Sequence, residues 1–157
     1  MTLWSFLFGR EPANTPRPGA QADVAEHRRI VRLQESERFG IKVVGTSRYQ
    51  DRLSALVGGR KADGADNYRQ ARLIPEPNNP RDKHTVRVAV GGRTVGYLSR
   101  EHALEYLSRL RALGVSGCMA ECHAHIVGGW DDGAGDRGHF GVRLNLVWPV
   151  QLEPLSG

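Results

Sequence analysis

Cysteine is nearly absent. Cys118 and Cys122 are the two in 157 residues, too few for a disulfide framework, so a reducing compartment, the cytoplasm, is expected. Long hydrophobic runs are missing as well: no apolar stretch approaches the ~20 residues that cross a bilayer, so no membrane partner is expected. The apolar stub Leu3-Trp4-Ser5-Phe6-Leu7-Phe8 has no basic segment before it and no small-residue cleavage site after it. It is a poor export signal and is expected to pack on its own domain or on a partner. Lysine is scarce, with 3 among the 22 cations against 19 arginines. The signatures GxxxxGKS/T, GxSxG and HExxH do not occur, nor does GxGxxG after a strand, which speaks against a nucleotide-driven motor, a serine hydrolase of that type and a zinc protease. No enzyme and no cofactor are expected.

What is present fits one small soluble domain. Hydrophobic residues make up 39% and charged residues 25%, and the length is about that of a single domain of ~100 to 150 residues. The net charge of +5 and pI near 9.7 favour polyanionic partners through counterion release. Residues 9 to 22, GREPANTPRPGAQA, read as a linker. Val24 to Arg38 reads as a short basic helix in preference to an edge strand, giving an arm over 1–38 and a domain over 39–150. Runs rich in β-branched residues predict strands at 39–45, 68–74, 85–90, 94–98, 118–127 and 140–148, with Gly91-Gly92 as a two-residue hairpin turn. Asp51 to Val57 is a short helix. Ser99 is a candidate N-cap for a second one, whose Ala103, Leu104, Leu107 and Leu110 share a face and which ends before Gly114. The fold class that follows is mostly β with short helices: a small antiparallel barrel of about six strands and two helices behind an N-terminal arm.

Cys118, Cys122, His123, His125 and His139 invite a metal site, but strand alternation separates them. Cys118 and Cys122 share one face about 13 Å apart, whereas one zinc needs both sulfurs at ~2.3 Å. They read as small buried hydrophobes. His123 and His125, with Glu121, lie on the other face as weak metal candidates, more simply an exposed polar stripe. The loop Asp131 to Asp136 lacks the alternating ligands and closing Glu of an EF-hand.

The corner IPEPNNPRDKHTVRV, residues 74 to 88, displays more polar groups than a chain reversal requires. Together with Val43-Val44-Gly45-Thr46-Ser47-Arg48-Tyr49 before it and Val95-Gly96-Tyr97-Leu98-Ser99-Arg100-Glu101 after it, this corner resembles the signature of the HIRAN domain, over residues 41 to about 147. The resemblance implies an OB-like barrel that grips the 3′ end of single-stranded DNA. By position it implies that Asp82 accepts the terminal hydroxyl proton, that Asn78 and Asn79 hold the last nucleotide, that Arg48 and Arg100 meet phosphates, and that Tyr49 and Phe140 stack on bases. Two positions depart from the family pattern: Arg81 stands where a tyrosine is found, and Tyr97 where a histidine is found. Arg81 is suited to stack or to bind phosphate instead.

The residue chemistry agrees with these roles. A carboxylate among phosphates is repelled by them, so Asp82 suits a place where a hydroxyl must sit; aromatic stacking contributes ~1 to 3 kcal/mol per base with little sequence preference. A blander reading stands beside each role. Asp82 caps its own turn, Asn78 and Asn79 make Asx turns, Tyr49 and Phe140 pack in the core, and Arg48 and Arg100 are solvated. The expected function is a nucleic-acid-binding module for single-stranded DNA or RNA ends that recruits helicase or nuclease partners. The alternatives are an interaction module docking through Trp4, Phe6 and Phe8, and a metal-dependent hydrolase built on Asp131, Asp132, Asp136 and His139.

Overall fold

Alternation along the strands sets which side chains face inwards. In the computed structural model, which describes residues 29–154, strand β6 (Met119–Gly128) buries Ala120, Cys122, Ala124 and Ile126 and turns Met119, Glu121, His123 and His125 the other way. This is the pattern expected of that segment. Small inward residues let the sheet curl tightly at its centre. Strand β4 (Thr85–Val90) contributes Val86, Val88 and Val90 to the same core. Its turn into β5 (Arg93–Tyr97) uses Gly91 at φ 61 and Gly92 at φ 79, the two positive values that a type I′ hairpin requires.

Strands β2 (Ile41–Lys42), β3 (Ala65–Glu76) and β7 (Phe140–Leu144) complete an antiparallel series in the order β2-β7-β6-β3-β4-β5. The series closes on itself. Just past β2, Val44 N donates to the Tyr97 carbonyl at 2.8 Å and Tyr97 N donates to the Val44 carbonyl at 2.9 Å, so the two ends of the sheet meet and form the small barrel that the sequence predicts. Gly96 makes the closure sterically feasible: a Cβ there would lie 2.5 Å from Val43 Cγ1 and 2.7 Å from the Val44 carbonyl oxygen.

Two helices flank the barrel. Helix α1 (Gln50–Val57) follows a 3₁₀ turn at Thr46–Tyr49 and ends at Gly58, as expected of the glycine there. Helix α2 (Arg100–Ala112) is capped by Ser99, whose Oγ accepts from His102 N at 3.1 Å. It buries Ala103, Tyr106 and Leu110; Leu104, expected on that face, is instead 40% exposed. Tyr106 takes the inner place, between Ala103 and Leu110 on the buried stripe. Burial pushes the Tyr106 phenol and the neighbouring Cys122 thiol well above their ordinary values.

The preference for helix over Val24 to Arg38 is corrected where that segment is described. Ile30–Arg32 forms strand β1, paired in parallel with Met119–Glu121 of β6. Leu33 and Glu35 continue the extended run through bridges to Leu152 and Leu146. Leu33 is buried, and β6 has a free edge there because β7 pairs only with Ala124–Gly128. The unmet backbone groups of that edge decide between two readings that local alternation leaves balanced. The stub Leu3 to Phe8 and the linker 9–22 lie outside the described residues. Among the described residues no helix is long and apolar enough to cross a membrane.

Candidate functional site

The corner between β3 and β4 is built by its own amides and carboxylates. Asn79 N donates to the Glu76 carbonyl at 3.1 Å, while Asn79 Oδ1 accepts from the backbone N–H groups of Arg81 (2.9 Å) and Asp82 (3.3 Å). Asn79 Nδ2 donates to Glu76 Oε1 at 3.1 Å, and Glu76 Oε2 in turn accepts from Arg87 Nε at 3.0 Å. Asn79 therefore makes the Asx turn of the blander reading, with its amide fixed rather than turned to solvent. Asn78 and Arg81 are exposed on the rim.

Asp82 has two different oxygens. Oδ1 accepts from His84 N at 2.8 Å and lies 3.3 Å from His84 Nδ1, which caps the turn. Oδ2 faces the Arg100 guanidinium at 4.0 Å, and the side chain keeps 31% of its surface in solvent. The His84 N–H, opposed by some desolvation and helped by the Arg100 charge, holds the carboxyl below its ordinary value of 3.8. Half of the carboxylate thus closes the corner, and half is presented, ionised, beside a cation.

The closure of the barrel supplies the aromatic side. Tyr97 ends β5 and Tyr49 ends the 3₁₀ turn; their hydroxyls are 3.4 Å apart and their ring centroids 6.4 Å. The hydrogen bond to Tyr49, followed by desolvation, pushes the Tyr97 phenol from 10.0 up to about 12. Arg52 lies over the Tyr49 ring, 5.1 Å from its centroid, with Nη1 donating to the Thr94 carbonyl at 3.0 Å. Tyr97 is the cross-strand partner of Arg87, and Leu98 N donates to the Val86 carbonyl at 3.0 Å. These links carry the start of α2, with Arg100, to the corner. Tyr49, Asn79, Asp82, Tyr97 and Arg100 are therefore joined by a continuous set of contacts, with exposed Arg48 next to Tyr49.

Phe140 is the exception among the predicted site residues. It is 1% exposed; its ring packs where a Cβ on Gly129 would stand, and the Arg60 guanidinium lies 4.9 Å from its centroid. Gln50 fixes its backbone on both sides, accepting from Phe140 N at 2.7 Å and donating to the Phe140 carbonyl at 3.1 Å. The ring has no face left for a base, so the stacking role expected of it is replaced by core packing.

His123 and His125 do not converge. His123 Nδ1 is 2.6 Å from Glu35 Oε2, and His125 Nε2 is 2.6 Å from Asp66 Oδ1, with the His125 ring stacked on Tyr68 at 4.3 Å. In the loop, Asp131 pairs with Arg137 at 3.1 Å, and Asp132 Oδ1 accepts from Ala134 N at 2.8 Å and Asp136 N at 3.1 Å. Among the described residues no group of three or more His, Cys, Asp or Glu is arranged to hold a metal ion.

Sequence reasoning missed Glu76, Arg87, Arg52 and His84 as parts of this site. The Glu76–Arg87 pair was available in principle: once Glu76 is set opposite Thr85, Arg87 is its diagonal neighbour across the hairpin. Arg52 over Tyr49 carries no comparable signal, because it depends on how the 3₁₀ turn enters α1.

A family model described as the HIRAN domain matches residues 36–126. Among curated proteins no match is found. The crystal structure of the HIRAN domain of human HLTF is similar at 22% identity over 68% of this chain and 75% of that one, with a TM-score of 0.32. The NMR structure of the HLTF HIRAN domain in its DNA-bound conformation is similar at 23% identity over 73% and 76%, with a TM-score of 0.36.

Proposed function

Because the chain belongs to the HIRAN domain family, we propose that it is a DNA-binding module that recognises the 3′ end of single-stranded DNA and brings that end to helicase or nuclease partners. It acts by binding, not catalysis. The observation that carries this reading is the Asp82 carboxylate, with one oxygen tied to its turn and the other open beside Arg100. An ionised carboxylate repels a phosphate and accepts a hydrogen bond from a hydroxyl. Arg100 and Arg48 supply the attraction that a strand needs to approach such a carboxylate. The Tyr49–Tyr97 pair offers the terminal base an aromatic surface in place of Phe140, and Asn79, held by Glu76, orients the corner backbone. Arg81 and Asn78 on the rim meet the next phosphate or sugar.

The division into an N-terminal arm and a barrel of residues 39–150 belongs to this proposal, with residues 30–35 lying along the barrel as its added strand. Fluorescence anisotropy with matched oligonucleotides tests the reading: a free 3′-hydroxyl binds tightest, a 3′-phosphate binds more weakly, and a circular strand more weakly still. Equal affinity for the three overturns it.

A further inference from the structure

Resting on the end-binding reading above, we propose that a second cleft, between the corner and the C-terminal half of α2, holds an internal nucleotide of the same strand. The cleft has a volume of about 510 Å³. Pro75, Pro77 and Leu107 give it an apolar wall, and Lys83, His84 and Arg111 give it positive or protonatable groups; no Asp or Glu lines it.

Two observations separate it from an ordinary surface hollow. The first is that its cations are uncommitted: among the described residues neither Lys83 nor Arg111 has an ion-pair or hydrogen-bond partner for its side chain. The cleft on the outside of β3 and β4 is lined by Arg69, Arg72 and Arg87, but those guanidiniums already hold the Leu56 carbonyl at 2.6 Å, Glu121 at 3.1 Å and Glu76 at 3.0 Å. The second is continuity with the end site. His84 lines the cleft, and its Nδ1 stands 3.3 Å from Asp82 Oδ1, so a strand leaving Asp82 meets the cleft across one side chain.

The charges on either side of His84 divide the labour. The end site contains a carboxylate and suits a hydroxyl. The cleft contains none and suits a phosphodiester, with Lys83 and Arg111 on its oxygens and the sugar or base against proline and leucine.

Binding of a dinucleotide and of a strand of about ten nucleotides, within the ~4 to 16 that an OB-type barrel covers, separates the two sites. Both carry a free 3′-hydroxyl and are measured on the full chain and on the Lys83→Ala/Arg111→Ala double variant, both positions being exposed and the variant's fold checked by circular dichroism. The variant is expected to bind the dinucleotide as the wild type does and the longer strand several-fold more weakly. Its log-log salt slope on the longer strand falls by about 0.7, the share of the one single-strand phosphate that the two cations hold. An unchanged longer strand, or equal loss at both lengths, overturns the cleft. An acidic peptide that binds the wild type but not the variant, while both strands bind alike, also overturns it in favour of a protein ligand. Failure of end recognition shows separately, as equal binding of 3′-hydroxyl and 3′-phosphate strands while the length dependence persists.

Discussion

Asp82 and Tyr97 are held in opposite protonation states by the same kind of cause, a hydrogen bond from or to a neighbour. The His84 N–H keeps the Asp82 carboxyl below 3.8, so any stability from the cap is present above that value and is lost as pH falls through the lowered one. The Asp82 carboxylate should accordingly stay ionised across neutral pH. Tyr97, raised to about 12 by Tyr49, contributes stability that is complete below 10.0 and is lost as pH rises through 12. Tyr49→Phe is expected to bring the Tyr97 titration back towards 10.0, read as ultraviolet tyrosinate absorbance; an unmoved titration would mean that the two hydroxyls do not interact. Among the residues named for the site, the polar ones were legible because Asn, Asp and Pro clustered beyond the needs of a turn. Phe140 was misread because its burial depends on Gly129 approaching from a loop whose course sequence does not specify.

At the level of elements, the junction of β5 and α2 and the barrel seam do most to position the site. Gly96→Val places atoms within 2.5 Å of Val43 Cγ1 and 2.7 Å of the Val44 carbonyl oxygen, and overpacking of this kind costs ~1 to 3 kcal/mol. Thermal unfolding should show the loss, together with weaker oligonucleotide binding because Tyr97 moves with the seam; an unchanged melting temperature would contradict the closed barrel. Helix α2 carries a second test. The Tyr106 hydroxyl is buried and has no hydrogen-bond partner among the described residues, and such a group costs ~1 to 3 kcal/mol. Tyr106→Phe is therefore expected to raise the denaturant midpoint or leave it unchanged, and a clear fall would reveal an unseen partner. Strand and helix types were readable for β4, β6 and α2, where alternation or a cap is unambiguous. The 30–35 segment was not, because its extended form is imposed by the vacant edge of β6 and not by its own residues.

For the whole molecule, the barrel brings together groups far apart in sequence: the 3₁₀ turn at 46–49, the corner at 75–85 and the start of α2 at 100. Mostly β architecture was legible from the strand runs, whereas the seam between Val44 and Tyr97 was not, since closure is a property of accumulated twist and register rather than of any one segment. Leu33, buried on the added strand, ties residues 30–38 to that whole. Leu33→Ala is expected to cost ~2 to 5 kcal/mol in a denaturant titration, while a loss near zero would detach the segment from the fold. The central claim is that an ionised carboxylate distinguishes a strand's end from its interior, and Asp82→Asn isolates it: the amide oxygen still accepts the His84 N–H and keeps the corner, but the charge is gone. The ratio of 3′-hydroxyl to 3′-phosphate affinity, measured by anisotropy for wild type and variant, is predicted to collapse towards one through tighter binding of the phosphate; a ratio unchanged by the substitution would contradict the account.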